Sequence, residues 1–177
     1  MITVELIDDM GDDITVVNAA RVSFGKQVPG VELRDKDIKL IYYLADNNHM
    51  SPFGHCFATF HVKAPIFVAR QLVKHKFLRW NEISRRYVDS EPEFYIPEFR
   101  KAVKNKKQGS GGVINSEQNT MTEWYWSGSL DAWSDMCKLR CASDTQVETQ
   151  EVAKKISVIM HKQFPVSWVA LAKAYRR

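Results

Sequence analysis

Residues 60–87, FHVKAPIFVARQLVKHKFLRWNEISRRY, decide how this chain is read. Its opening closes a segment, His55–Val62, in which Cys56, Ala58, Phe60 and Val62 alternate with Phe57, Thr59 and His61. Alternation with period two marks a strand. Both of its faces carry apolar residues, so the strand is expected in the middle of its sheet. Pro65 suits the first turn of a helix, predicted to run to about Leu78. Ile66, Ala69, Val73 and Phe77 then form its core stripe, and Gln71, Lys74, His75 and Leu78 lie on another side, where polar groups can converge on a ligand.

Outward from this stretch, residues 2–7 (ITVELI) read as a first strand. A helix is predicted over Asp35–Asn47, with Ile38, Ile41, Leu44 and Ala45 at helical spacing and Asp35 as cap; it stops before Pro52. Residues 101–120 are basic, polar and glycine-rich, and read as a mobile loop. The C-terminal third reads as helices. One spans Ser129–Leu139. Another opens at Ser143 in a capping box with Gln146 and carries Val152, Ile156, Ile159 and Met160. A break follows at Pro165, then a short helix bearing Trp168, Leu171, Ala172 and Tyr175. The fold class is α+β (α/β class), a sheet covered by helices, in one domain spanning residues 1–177.

Composition narrows the function. The chain has 177 residues, 45% hydrophobic and 26% charged, as expected of a soluble globular protein with one core. No apolar run reaches membrane-spanning length. The start, MITVELIDDMGDD, is acidic and lacks the order of a secretion signal, so a cytoplasmic location is expected. The net charge of +4 permits an anionic ligand, but nucleic-acid binders carry a stronger basic bias. Cys56, Cys137 and Cys141 form no Cys-x-x-Cys pair, which argues against a disulfide framework and a thiolate metal site. Cys137 and Cys141, four apart, read as sharing a buried helix face.

Chemistry concentrates in residues 74–87. Lys74, His75, Lys76, Arg79, Arg85 and Arg86 surround a lone acid, Glu82, and lie beside Ser84. Arginine can grip phosphate oxygens with two parallel hydrogen bonds, and Trp80 or Tyr87 could stack on a ring. The residues alone point to a nucleotide or another anionic ligand. A basic run at a helix end also reads as a solvated face favoured by the helix dipole.

The order Lys74-His75-Lys76, seven residues, Ser84 resembles the Arg-His-Arg, seven residues, Ser signature of the flavin-dependent thymidylate synthases. The resemblance extends through Asn81, Glu82, Arg86 and Tyr87, upstream through FHVKAPIFVARQ (60–71) and AARVSF (19–24), and downstream to EFYIP (93–97). WYWSGSLDAWSDMCKLRCA (124–142) resembles the family's late helix, with Arg140 at its arginine.

The resemblance implies an antiparallel-type sheet covered by helices, and methylation of dUMP without an enzyme nucleophile. Reduced FAD delivers hydride, methylenetetrahydrofolate the carbon, and NADPH reduces the flavin. By matching position, dUMP falls to Gln71, Lys74, Ser84, Arg85, Arg86 and Arg140. FAD falls to Ser23, His49, Ser51, Lys74, His75, Lys76 and Glu82. Arg140, Ser84 and His75 are the catalytic candidates: Arg140 stabilises charge developing on the pyrimidine, and Ser84 orients the substrate. His55 and His61 are read as structural, and no metal is expected. The resemblance further implies a homotetramer with shared sites. Several positions depart from the family pattern. Lysines replace both motif arginines, Gly54 stands where an acid is usual, and Ser129, Asp131 and Asp135 stand where Asn, Arg and Asn are common. The middle of the chain is short and lacks an arginine that helps hold the phosphate.

Alternatives stay open. The product could be another 5-substituted pyrimidine nucleotide, such as a hydroxymethylated one, or the substrate another pyrimidine nucleotide in place of dUMP. The chain could be a non-catalytic flavin- or nucleotide-binding relative. A nucleic-acid module resting on Lys101, Lys104, Lys106 and Lys107 has the least support, because that run lacks aromatic interleaving. No nucleic-acid or membrane partner is expected.

Overall fold

Two stretches of alternating apolar side chains, 57–65 and 121–129, build the centre of the fold. The computed structural model describes residues 1–26, 32–96 and 120–174. Within them, β2 (Phe57–Pro65) lies between β1 (Thr3–Met10) and β4 (Met121–Ser129), and β4 also pairs with β3 (Leu78–Glu82). The order is β1-β2-β4-β3, with every pairing antiparallel. The antiparallel sheet and the central place of the second strand match the sequence reading. Its bounds shift, since His55 belongs to a 3-10 turn, Ser51–His55, and Cys56 precedes the strand. Only one face is fully buried. Ala58, Phe60, Val62 and Ala64 point into the core, whereas Phe57 is exposed and Thr59, His61 and Lys63 are half-buried.

Helices α1 (Asp13–Arg21), α2 (Asp35–Asp46), α3 (Ile66–Leu72), α4 (Leu130–Arg140), α5 (Val147–Gln163) and α6 (Pro165–Ala174) complete the layer structure. Trp133 of α4 knits helix to sheet. Its indole Nε1 donates to the carbonyls of Gly128 (3.0 Å) and Ala58 (3.2 Å). Its ring meets Phe60 and Trp126 edge-on at 5.0 and 4.9 Å. Such aromatic pairs add about 0.5–1.5 kcal/mol each beyond area burial.

Four sequence expectations need correction. Helix α3 ends at Leu72 rather than near Leu78. Phe77 takes a left-handed conformation, φ 65°, which turns the chain back so that Leu78 and Trp80 can join the sheet. Ladder pairing and inward packing of these two outweigh one more helical turn. The core side of α3 is Phe67, Val68, Ala69 and Leu72, and Phe77, expected inside, is exposed. Helix α5 opens at Val147 with Gln146 as its cap, not at Ser143, and α2 is capped by Arg34, not Asp35. Pro165 begins α6 as well as ending α5. The loop expected at 101–120 lies outside the described residues apart from Thr120. Pro97, Lys101, Lys104, Lys106, Lys107 and Tyr175 lie outside them entirely.

Helix α1 went unread although it carries its own signal. Asp12 accepts from Thr15 N at 2.7 Å while Thr15 Oγ1 accepts from Asp12 N, a reciprocal cap with threonine in the usual place of glutamate. At the far end of α1, Arg21 meets the buried Asp37 at 2.6 Å. Hydrogen bonds from Arg34, helped by the Arg21 charge, hold the Asp37 carboxyl down at about 2 against the opposing effect of burial.

The adjoining Asp13 is buried in the first turn of α1, and its carboxylate also accepts from Val166 N (2.9 Å) and Ser167 N (2.8 Å). The carboxylate therefore satisfies backbone donors that open α6 and places negative charge in the first turn of α1, where it is favoured. Asp13→Ala should cost roughly 1–3 kcal/mol in chemical denaturation, as for a lost charged hydrogen-bond acceptor. Asp13→Asn, which keeps one acceptor, should cost less; equal stability of all three proteins would show that this link contributes nothing.

Candidate active site

Three helix ends converge on one arginine. Gln71 lies in the last turn of α3, His75 just beyond it, and Arg140 ends α4. Arg140 donates through Nε to His75 Nε2 at 2.9 Å and through Nη2 to the Gln71 carbonyl at 2.7 Å. The Gln71 amide is itself clamped by α5, donating to Gln146 Oε1 at 2.6 Å and accepting from Thr149 Oγ1 at 3.1 Å. Gln146 and Thr149 are buried, so the clamp is rigid.

The electrostatics follow from this packing. Burial, joined by the Arg140 charge, pushes His75 down to about 4. The imidazole is thus neutral near pH 7. Because its Nε2 accepts, its proton sits on Nδ1. Burial also lowers Arg140, but a guanidinium keeps its charge in proteins. Of its five N–H donors, two are spent on these neighbours. A cation held in fixed orientation beside a neutral imidazole can stabilise negative charge developing on a bound heterocycle.

The remaining expected residues are not gathered in one place. Lys74 and Lys76 are exposed, and neither ammonium engages a described residue. Ser84, Arg85 and Arg86 lie beyond the opposite end of β3, past Glu82. The five strand residues between, at about 3.3 Å each, set the two groups roughly 15 Å apart. The single cationic cluster expected from residues 74–87 is therefore drawn out along β3, with exposed Arg79 on the strand between its two ends. Beyond Glu82 the chain turns tightly, with Tyr87 N donating to Ser84 O and Arg86 N to Ser84 Oγ. Arg85 donates to the Ser90 carbonyl at 2.8 Å, and the Arg86 guanidinium lies 5.3 Å from the exposed Tyr87 ring. Trp80 does not present its face to a ligand. It stacks on Trp124 at 4.4 Å and meets Trp126 edge-on.

The residues matched to FAD are spread as well. Glu82 accepts from Thr122 Oγ1 at 2.7 Å and Trp80 Nε1 at 3.3 Å, with Arg70 at 3.8 Å. Ser23 lies in the 3-10 turn Val22–Phe24 after α1, beside the start of α2, where Arg21 meets Asp37. His49 and Ser51 follow the end of α2, whose 12 residues make a rod of about 18 Å. His49 stacks on Tyr43. The register places Phe57 opposite Ser129 and Leu78 opposite Gly128, so Ser51 and Lys74–Lys76 share one end of the sheet. Ser129 caps α4 by position only, Asp135 pairs with Lys138 at 3.5 Å, and Asp131 Oδ1 is buried without a hydrogen-bond partner among the described residues. His61 pairs with Glu123, in keeping with a structural role, and Cys56 donates to Asp12 O from the core.

Gln146 and Thr149 were missed from the sequence. Gln146 carried a signal, since it was read as part of a cap, but nothing marks its side chain as reaching Gln71 across 75 residues. Among the described residues no cluster of three or more His, Cys, Asp or Glu could hold a metal. None of their helices is long and apolar enough to cross a membrane.

Residues 5–118 and 113–166 match the family model described as thymidylate synthase complementing protein. A flavin-dependent thymidylate synthase of Thermus thermophilus is 37% identical over 94% of this chain and 74% of that protein. The enzyme of the same name from Thermosipho africanus is 35% identical over 97% and 91%. Among solved structures, the UMP/dUMP methylase PolB of Streptomyces cacaoi bound with 5-Br dUMP superposes with a TM-score of 0.81, at 28% identity over 98% of this chain and 95% of that one.

His75 gives this geometry a pH signature. The unfolded imidazole binds a proton near the ordinary 6.5, whereas the folded one waits until about 4. Between these values the unfolded state holds more protons, so stability falls as pH drops through that window. NMR titration should find His75 neutral down to pH 5. Arg140→Gln should raise its midpoint toward, but not fully to, 6.5, because burial remains. A wild-type midpoint near 6.5 would contradict the buried pair.

Proposed function

The chain belongs to the thymidylate synthase complementing protein family, and from that premise we propose that it is a flavin-dependent enzyme converting dUMP to dTMP. Methylenetetrahydrofolate is the carbon donor and NADPH the reductant. The observation that carries this reading is Arg140, held between a neutral imidazole and the Gln71 carbonyl with donors to spare.

In this reading Arg140 holds the pyrimidine and stabilises negative charge as it develops there, an electrostatic role that needs no enzyme nucleophile. Gln71, through its clamped amide and backbone, fixes where Arg140 points. Ser84 orients the nucleotide, and Lys74, Arg85 and Arg86 meet its phosphate. His75 stays neutral as an acceptor beside the reacting ring.

The residues present fit a flavin dinucleotide. Lys74, Lys76 and Ser51 offer unspent donors at one end of the sheet for its phosphates. The orphaned Asp131 oxygen suits a hydroxyl donor rather than a phosphate. Ser23, His49, His75 and Glu82 complete the proposed FAD set. When bound, FAD supplies the hydride chemistry.

β3 holds the two halves of the motif roughly 15 Å apart within one chain, which favours a site that draws on more than one copy. In this reading the enzyme is a homotetramer, as the family resemblance implies, each site drawing Gln71, His75 and Arg140 from one copy and Ser84, Arg85 and Arg86 from another. Exposed Phe77 and Tyr87 flank β3 at its two ends, as expected of surface that assembly covers. A cytoplasmic single-domain enzyme completes the reading.

A second reading, with UMP as a further substrate, is favoured by the likeness to a methylase of both nucleotides. The test supplies dUMP or UMP with FAD, methylenetetrahydrofolate and NADPH and weighs the product. A mass gain of one methyl on dUMP is expected; a hydroxymethyl gain would move the reading to the related chemistry, and no gain on either nucleotide would remove it. Arg140→Ala should lower turnover roughly 100- to 1000-fold, as for loss of a charge-stabilising donor, with the fold kept.

A further inference from the structure

A pocket of about 470 Å3 opens where α4, α5 and α6 meet, lined by Ser134, Cys137, Lys138, Cys141, Ser157 and Trp168 among others. That volume suits a small ligand, and none of the residues assigned to nucleotide or flavin lines it. Two of its hydroxyls keep hydrogen-bonding capacity that the fold does not use. Ser134 is 4% exposed, yet its hydroxyl bonds to no described residue. The Ser157 oxygen accepts from Trp168 Nε1 at 3.0 Å, and its own proton goes to no described residue. Lys138 sits beside Asp135, and Trp168 offers an apolar wall.

Two thiols complete the lining. Cys137 is buried on α4, near the Ala153 carbonyl at 3.5 Å, and Cys141 is only half-buried one turn later. The expected shared buried face holds for Cys137 alone. The neighbouring Cys137 thiol, with the nearby Lys154 charge, holds the Cys141 thiol below the ordinary range against burial. Burial keeps Cys137 protonated.

We propose that Cys141 is a covalent ligand site that takes a small polar disulfide seated in this pocket. The Cys141 thiolate attacks one sulfur of the disulfide. A new sulfur–sulfur bond forms to Cys141, the original one breaks, and its electron pair leaves on the departing thiolate. The hydroxyls of Ser134 and Ser157 and the Lys138 ammonium receive the polar groups of the retained half. Cys141 N donates to Cys137 O at 2.8 Å to close α4, directly after Arg140. An adduct that shifts this last turn therefore shifts Arg140, a consequence that rests on the function proposed above.

Glutathione disulfide is the probe, applied to the full assembled protein at pH 7, with the adduct located by peptide mass mapping. One reductant-reversible adduct per chain is expected, on Cys141. It should form roughly threefold faster in the folded than in the urea-unfolded protein, since the larger thiolate fraction outweighs its lower nucleophilicity. Cys141→Ser should form none and keep its turnover. Adducts on Cys56 or Cys137 instead, or equal rates folded and unfolded, would overturn the site. The wild-type mapping decides this even if the variant does not fold. Turnover of the adduct should fall about 10- to 100-fold, the cost of an ångström-scale shift in a positioned group, and return on reduction. An adduct with unchanged turnover would refute the link to Arg140. A protein without any turnover would count against the proposed function and leave the mapping result standing.

Discussion

The close approach of β3 to β4 at Gly128 is the constraint on which the rest depends. A Cβ built on Gly128 would stand 2.3 Å from Leu78 Cδ2 and 3.2 Å from the Phe77 carbonyl oxygen. A larger residue there would have to push the Leu78 side chain aside and press on the Phe77 carbonyl, and the reversal itself needs Phe77 in a conformation that ordinary side chains disfavour by about 1–2 kcal/mol. In return, Leu78 and Trp80 enter the core, and Trp80 stacks on Trp124. The basic stretch is thereby cut, its two ends carried beyond opposite ends of one strand with Arg79 exposed between them.

That cut governs the chemistry. His75, left at the near end, is drawn under Trp126 and beside Arg140, where burial keeps it neutral. A charged imidazole there would repel the guanidinium; a neutral one accepts its hydrogen bond and fixes its plane. The lysines on either side of His75 stay in solvent because a long ammonium side chain is costly to bury and easy to leave hydrated. Ser84 and its neighbouring arginines, at the far end, serve another face of the molecule.

Much of this was legible in the residues. The alternation around Phe60 gave the central strand, and Pro52 and Pro165 marked helix limits, because these signals are local. The order of Lys74, His75, Lys76 and Ser84 pointed to the family. What stayed hidden depends on distant partners. Strand β3 alternates only over Leu78, Arg79, Trp80 and Asn81, too short a run to outweigh the helical reading before it, and its state is settled by β4, more than 40 residues later. The Gln71 clamp is invisible for the same reason, since Gln146 and Thr149 lie 75 and 78 residues away. Trp80 was misread because an aromatic ring beside cations looks the same in sequence whether it meets a base or another tryptophan.

The measurement that bears most directly on the central claim mixes two inactive proteins. Arg140→Ala and Arg86→Ala impair opposite halves of the divided motif. Purified separately, each should lack dUMP methylation. Unfolded together and reassembled, they should regain a substantial fraction of wild-type turnover, because some sites then draw an intact half from each copy. Reassembled mixtures as inactive as their parents, with mixed oligomers confirmed by native mass spectrometry, would contradict a site shared between copies.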